Sequence, residues 1–191
     1  MNRIAVLFTA LCCLFVACQK ENTLKDVDDV CTKMDDSNFM KYCYDNFDVN
    51  HDGKVTMQEA AAVKRMDTID SRSSSLKGIE FFTGLEVLIC CGQGLTSLNV
   101  SGNKALKYID CDGNNLTALD VSSCIELEEL DCHSNKITSL DLSKNKKLKF
   151  LACYQKMHVT VYYSNGQPIE QWKKHNDRTE DGYGKLTWTQ K

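Results

Sequence analysis

The strongest constraint on this chain is a recurrence of apolar residues every 21 positions. Leu85, Leu106, Leu127 and Leu148 fall on it, as do Leu88, Ile109, Leu130 and Leu151. Two residues after the second set come Cys90, Cys111, Cys132 and Cys153. Leu95, Leu116 and Ile137 keep the same step, followed by Leu98, Leu119 and Leu140, then Val100, Val121 and Leu142. An earlier unit is expected at a step of 19, with Met66, Ile69, Leu76, Ile79 and Phe81 mapping onto Leu85, Leu88, Leu95, Leu98 and Val100. Within each unit the LxLxC segment alternates, so its inward residues make one short parallel strand. A single unit cannot bury its own apolar face, whereas stacked units bury a continuous core. The asparagine of LxxLxCxxNxLTxLDVS is Asn114 and Asn135, with Gln93 in that place once. It is expected to satisfy backbone groups where the chain turns out of the strand.

This pattern resembles the leucine-rich repeat, which implies an α/β solenoid with short parallel strands. The cysteines at the third inward position read as small buried hydrophobes in a ladder. Neighbouring strands lie about 4.8 Å apart, so a disulfide such as Cys111–Cys132 stays open as an alternative. A metal site on the ladder is disfavoured by its dry neighbours and by the absence of histidine from that face. Cys124 stands where Asn103 and Asn145 stand in their units, and Cys91 points outward. Neither has a nearby base in sequence that would mark a nucleophile.

Upstream, residues 48–59 read DVNHDGKVTMQE. This fits the EF-hand template, which asks for oxygen ligands at positions 1, 3, 5, 7, 9 and 12 and glycine at 6. Asp48, Asn50 and Asp52 supply the first three, Lys54 its backbone carbonyl, Thr56 a water-holding hydroxyl and Glu59 the bidentate close. Gly53 makes the sharp turn and Val55 is the apolar plug. Calcium is the expected cofactor, favoured over magnesium by the number of oxygens in a flexible loop. Phe39, Met40, Cys43, Tyr44 and Phe47 form an apolar stripe at helical spacing before the loop, and Gln58–Arg65 is a good helix former after it. Leu24, Val27, Val30, Cys31 and Met34 also repeat at helical spacing. No second DxNxDG loop accompanies this hand, so it is expected to cap the first repeat, with calcium as a clamp rather than a switch. Cys31 and Cys43 on successive helices could bridge or stay reduced.

The N-terminus sets the compartment. Met1–Arg3 carries one positive charge, and Ile4–Ala17 is apolar apart from Thr9, too short to span a bilayer. The LFVAC that ends it resembles the lipobox of bacterial lipoproteins, departing from it at Phe15. That resemblance implies cleavage before Cys18 and lipid on its thiol; an ordinary signal peptide is the alternative. Gln19-Lys20-Glu21 resembles the short tag that sends lipoproteins of the Bacteroidota to the outer face of the outer membrane. Removing Met1–Ala17 takes away Arg3 and moves the formal net charge from −3 to −4, a balance that argues against nucleic acid, which selects basic stripes.

Lipobox, one DxNxDG hand and cysteine-bearing repeats together resemble leucine-rich-repeat surface lipoproteins of the Bacteroidota, as far as about Tyr154. The loop also resembles one dockerin repeat, although dockerins carry two. The expected organisation is a signal peptide over 1–17, a lipid-anchored EF-hand helical cap over 18–65, repeats over 66–154 and a C-terminal cap over 155–191. In that last stretch His158–Tyr163 alternates as a strand and Asn165-Gly166 signals a turn. Trp172, Tyr183, Leu186 and Trp188 follow without periodicity, as part of the cap or as an aromatic ligand patch.

Outward strand positions are where such solenoids meet partners. Here they are Val87, Ile89, Cys91; Tyr108, Asp110, Asp112; Glu129, Asp131, His133; Phe150, Ala152, Tyr154. An acidic centre of Asp110, Asp112, Glu129 and Asp131 lies between apolar or aromatic flanks. The face suits a basic or amphipathic protein segment, with a glycan as the second ligand class and Tyr108, Phe150 and Tyr154 as anchors. A solvated polar face without a ligand, in a calcium-stabilised structural protein of the envelope, is the competing reading. No nucleophile–base pair at meaningful spacing points to an enzyme: His51 sits at a non-ligand loop position, and His133, His158 and His175 are scattered. A monomer is expected.

Overall fold

The computed structural model describes residues 28–68, 72–177 and 182–191. The signal segment, Cys18, Leu24, Val27 and Ile69 lie outside them. Among the described residues no helix is long and apolar enough to cross a membrane.

Five strands stack in parallel: β1 (Arg65–Asp67), β2 (Val87–Ile89), β3 (Tyr108–Asp110), β4 (Glu129–Asp131) and β6 (Phe150–Ala152). Each is three residues long, because the chain must turn back through the rest of its unit before reaching the next. The middle residues Met66, Leu88, Ile109, Leu130 and Leu151 lie directly opposite one another and are all buried. Leu85, Leu106, Leu127 and Leu148 form a second buried row, and Cys90, Cys111, Cys132 and Cys153 a third. All four ladder cysteines are free thiols, as are Cys31 and Cys43. Burial pushes the ladder thiols far up and keeps them neutral.

The expected amide role holds. Asn114 Nδ2 donates to the carbonyls of Cys90 (2.8 Å) and Cys111 (3.0 Å), while its Oδ1 accepts from Gln93 N and Leu95 N. Asn135 repeats the pattern one unit on, and Gln155 continues it with Nε2 on Cys132 O at 2.8 Å. A second amide row runs along the back of the units. Asn103 Nδ2 bonds the carbonyls of Ile79 and Phe82, and Asn145 Nδ2 those of Val121 and Cys124. Each amide therefore ties its own unit to the one before.

The first unit departs from the expected register. Met66 pairs with Leu88, so the step runs from 66 to 88, 22 residues rather than 19. Behind the strand, Ile79 rather than Phe81 stands in the place of Val100, since it and Phe82 offer Asn103 the carbonyls that Val121 and Cys124 offer Asn145. The Met66–Ile69 spacing imitates Leu85–Leu88, but strand pairing decides the alignment.

In front of the repeats, α1 (Ser37–Phe47) and α2 (Met57–Ala62) flank a loop over 48–56. Asp36 caps α1 by accepting from Asn38 N and Phe39 N, and Thr56 with Glu59 forms a capping box on α2. Phe39 and Cys43 are buried, and Phe47 meets Phe82 edge to face at 5.5 Å. Asp67 N donates to Tyr42 Oη, and Asp36 Oδ2 accepts from Ser74 N, so α1 is seated on the first repeat. Gly84 permits the close approach of α2: a Cβ there would sit 2.0 Å from Ala61 O.

The helix expected before α1 is, in its described part, a single 3-10 turn over Val30–Lys33. Asp29 explains the difference. Its backbone bridges antiparallel to Thr56, with Val30 N on Val55 O at 2.9 Å, which holds the chain extended. Its carboxylate accepts from Cys31 N, Val55 N and the Tyr44 hydroxyl.

At the other end β5 (Ser139–Asp141), β7 (Val159–Tyr163) and β8 (Leu186–Gln190) form a second parallel sheet. Neither β8 nor α3 (Ile169–Asn176) was legible as an element. Packed along β6, α3 supplies side chains where a further strand would supply backbone. Asn176 Oδ1 accepts from Cys153 N at 2.6 Å, Asn176 Nδ2 donates to Leu151 O, and the Trp172 indole donates to Lys149 O.

Candidate functional site

In-register stacking turns the outward side chains of the front sheet into a grid. Val87, Tyr108, Glu129 and Phe150 make one row, and Ile89, Asp110, Asp131 and Ala152 the next. The third row, Cys91, Asp112, His133 and Tyr154, lies just past the strands, where Gly92 N, Gly113 N and Ser134 N bond Asp112 O, His133 O and Tyr154 O. The candidate binding residues Tyr108, Asp110, Asp112, Glu129, Asp131, His133, Phe150 and Tyr154 share this face. Ala152, short between Phe150 and Tyr154, is buried rather than outward.

The centre of the grid is more ordered than its composition suggests. His133 Nδ1 lies 2.5 Å from Asp131 Oδ1, and Nε2 lies 3.4 Å from Asp112 Oδ2. The hydrogen bond to Asp131, helped by the charges of Asp131, Asp112 and Asp110, raises the imidazole's pKa against the effect of burial. Partial burial pushes the Asp110 carboxyl up to about 6; the Asp112 N–H opposes this, and the charges of Asp112 and Asp131 add to it. Among the described residues no lysine or arginine pairs with Asp110, Asp112 or Asp131. Tyr154 stacks on His133 with ring centroids 4.5 Å apart, and Tyr183 meets Tyr154 edge-on at 4.8 Å. Phe150 meets His175 edge-on at 4.6 Å, beside a groove of about 440 Å³ between β6 and α3 lined also by Lys149, Lys174 and Trp172.

Sequence reasoning missed the contributions of Tyr183 and His175, which come from outside the repeat. It also missed the neighbours of Cys91. The Cys91 thiol sits against Asp110 and Asp112 of the next unit, and burial plus those charges raise its pKa. The period itself held that signal, since 91, 112, 133 and 154 are spaced by one unit each.

In the 48–56 loop the expected ligand side chains turn inward. Asp48 accepts from Asp52 N and Gly53 N, Asn50 Oδ1 from Asp52 N, and Asp52 from Lys54 N. Glu59 reaches back across the loop, Oε1 accepting from Val49 N at 3.0 Å and Oε2 from Thr56 N at 2.9 Å. These bonds, the Thr56 N–H first, hold the Glu59 carboxyl low. Gly53 takes φ +83° at the turn, as the loop pattern requires. The donor set fits a hard divalent cation: carboxylate and amide oxygens of Asp48, Asn50, Asp52 and Glu59 share one loop, with the Lys54 carbonyl between them. The Thr56 hydroxyl is engaged by Glu59, donating to Oε2 and accepting from Glu59 N.

No protein-family model matches the chain, and no curated protein does. Among solved structures it is similar to the functional domain of InlJ from Listeria monocytogenes, described as including a cysteine ladder. The identity is 27% and the TM-score 0.62, over 72% of this chain and 38% of that one. The chain thus spans well under half of the InlJ structure. It is also similar to an internalin (inlF) from Listeria monocytogenes, at 14% identity and a TM-score of 0.56, over 86% of this chain and 66% of that one. The fold is an internalin-like, leucine-rich-repeat-like solenoid of parallel strands.

Proposed function

We propose that this chain is a protein-interaction module of the cell envelope that binds a basic or amphipathic protein segment on its front face. The observation that carries the reading is the grid itself. Asp110, Asp112, Glu129 and Asp131 form an acidic centre. Among the described residues no lysine or arginine pairs with Asp110, Asp112 or Asp131, and only His133 lies against the carboxylates. Tyr108, Phe150 and Tyr154 stand beside it as half-buried aromatic anchors. Charge of one sign steers a partner in, and rigid aromatics supply contact area at low entropic cost. The internalin-like fold supports a protein over a glycan as the ligand. Binding is tested with lysine-rich amphipathic peptides displayed as a library. Asp110→Lys combined with Asp131→Lys is expected to abolish capture while the chain stays folded by circular dichroism; capture that survives the pair would rule the face out.

Calcium in this reading stabilises the N-terminal cap, held by Asp48, Asn50, Asp52, the Lys54 carbonyl, Glu59 and a water on Thr56. The fit of the donor set and the seating of α1 on the first repeat support it. Attachment to the outer membrane at the cell surface would run through lipid on Cys18. Cys18→Ala is expected to move the protein from the membrane fraction to the soluble one, and unchanged partitioning would remove the anchor from the proposal.

A further inference from the structure

We propose that Cys91, Asp110, Asp112 and His133 form a metal site on the front face for a divalent transition ion of zinc's class. The Cys91 sulfur and one oxygen each of Asp110 and Asp112 lie within 4.8 Å of one another, brought together by adjacent units. His133, one unit further along the same row, places Nε2 3.4 Å from Asp112 Oδ2 and so adds a nitrogen donor beside the three. Its other ring nitrogen is held by Asp131, the carboxylate–imidazole pairing that orients a metal-bound histidine. Tyr154 stacked on the ring fixes its plane from the far side.

The donor types select the ion. One sulfur, one imidazole and two carboxylates suit a borderline cation, with bonds of about 2.0–2.3 Å. Calcium and magnesium, which take oxygen, gain nothing from Cys91 or His133. All four side chains are half-buried; Cys91, Asp110 and Asp112 already converge, and His133, which reaches Asp112, would have to turn toward them to complete the set. On binding, Cys91 gives its thiol proton to solvent and the thiolate becomes the ligand. A basic peptide would answer the same negative charge but has no need of sulfur, which separates the two occupants. The proposal does not rest on the interaction reading.

The test uses the purified full chain with calcium in excess, so that the 48–59 loop does not contribute, titrated with Co²⁺ alone as a spectroscopic stand-in and then with Zn²⁺. A thiolate-to-cobalt charge-transfer band should grow to saturation at one equivalent and be bleached by zinc. Cys91→Ser should remove the band, and His133→Gln should weaken cobalt binding at least tenfold. Should the Cys91 variant fail to fold, alkylation of the native chain decides instead: zinc should protect Cys91 against iodoacetamide, mapped by peptide mass. The absence of a sulfur band, its persistence in Cys91→Ser, or alkylation of Cys91 at an unchanged rate in zinc would each overturn the site. A chain that captures peptides but shows no cobalt band would sink the metal site and leave the interaction face standing.

Discussion

The repeats and the N-terminal cap are held together in different ways. From the second unit on, the repeats follow one plan. A buried leucine row, a cysteine row and a front amide row recur from unit to unit. In the cap nothing recurs. One carboxylate, Asp29, takes three hydrogen bonds from three separate segments, and four loop side chains turn toward one point. Stability in the repeats is therefore distributed among nearest neighbours. The N-terminal helices instead add to their buried apolar residues, Phe39, Cys43 and Val55 among them, contacts made once by a few acidic oxygens. The first should respond to lost volume and the second to lost counter-charge as well.

Leu130→Ala probes the distributed part and carries the largest expected effect. Leu130 is fully buried, opposite Ile109 and Leu151, so its truncation should cost about 3–5 kcal/mol and lower the melting temperature by about 10 °C or more. A loss under about 1 kcal/mol would mean that the rows are not close-packed. Chelation probes the cap. At a calcium concentration about 100 times its Kd, removing the ion should cost about 2.7 kcal/mol, seen as a fall of several degrees in melting temperature. Glu59→Gln should reproduce that fall and be insensitive to chelator, while a chelator-insensitive wild type would take calcium out of the cap. The smallest effect belongs to an exposed pair at the second sheet. The Lys191 ammonium against Asp141, with Ser143 assisting, holds that carboxyl at about 2. A depressed folded pKa contributes stability above the unfolded value of 3.8, lost as pH falls through about 2. The pair is about half exposed, so Lys191→Ala should cost at most about 0.5 kcal/mol near neutral pH. It should also raise the Asp141 titration midpoint measured by NMR; an unmoved midpoint would show the pair is not formed in solution.

This contrast also explains what could be read from the sequence. Periodicity exposes whatever burial repeats, so Leu88, Ile109, Leu130 and Leu151 announced the front sheet. Loop chemistry exposes whatever spacing fixes, so Asp48 to Glu59 announced the turn. Neither signal covers one-off contacts. Asp29 looks like any acidic residue until Thr56 lies beside it, and its bridge turned an expected helix into an extended segment with one 3-10 turn. Trp172 and Asn176 bond the β6 edge from a helix whose stripe matches no repeat position. The first unit was misaligned because Phe82 stands where later units have Asn103 or Cys124, which removed the polar landmark that would have set the count. On the face itself, the outward positions fall on the grid except Ala152, which is buried, but His133 between Asp112 and Asp131 exists only once the units are stacked.

The seal along β6 has a consequence for assembly. A stack of parallel strands is a one-dimensional polymer, and its open edge offers the next copy the same backbone template it offers the next unit. By giving Cys153 N and Leu151 O to Asn176, and Lys149 O to Trp172, α3 spends those groups on side chains that cannot be extended in turn. It acts as a chain terminator. Propagation stops at the fifth strand of the front sheet, and along that edge the regularity that makes the solenoid easy to build is kept from recruiting a neighbour.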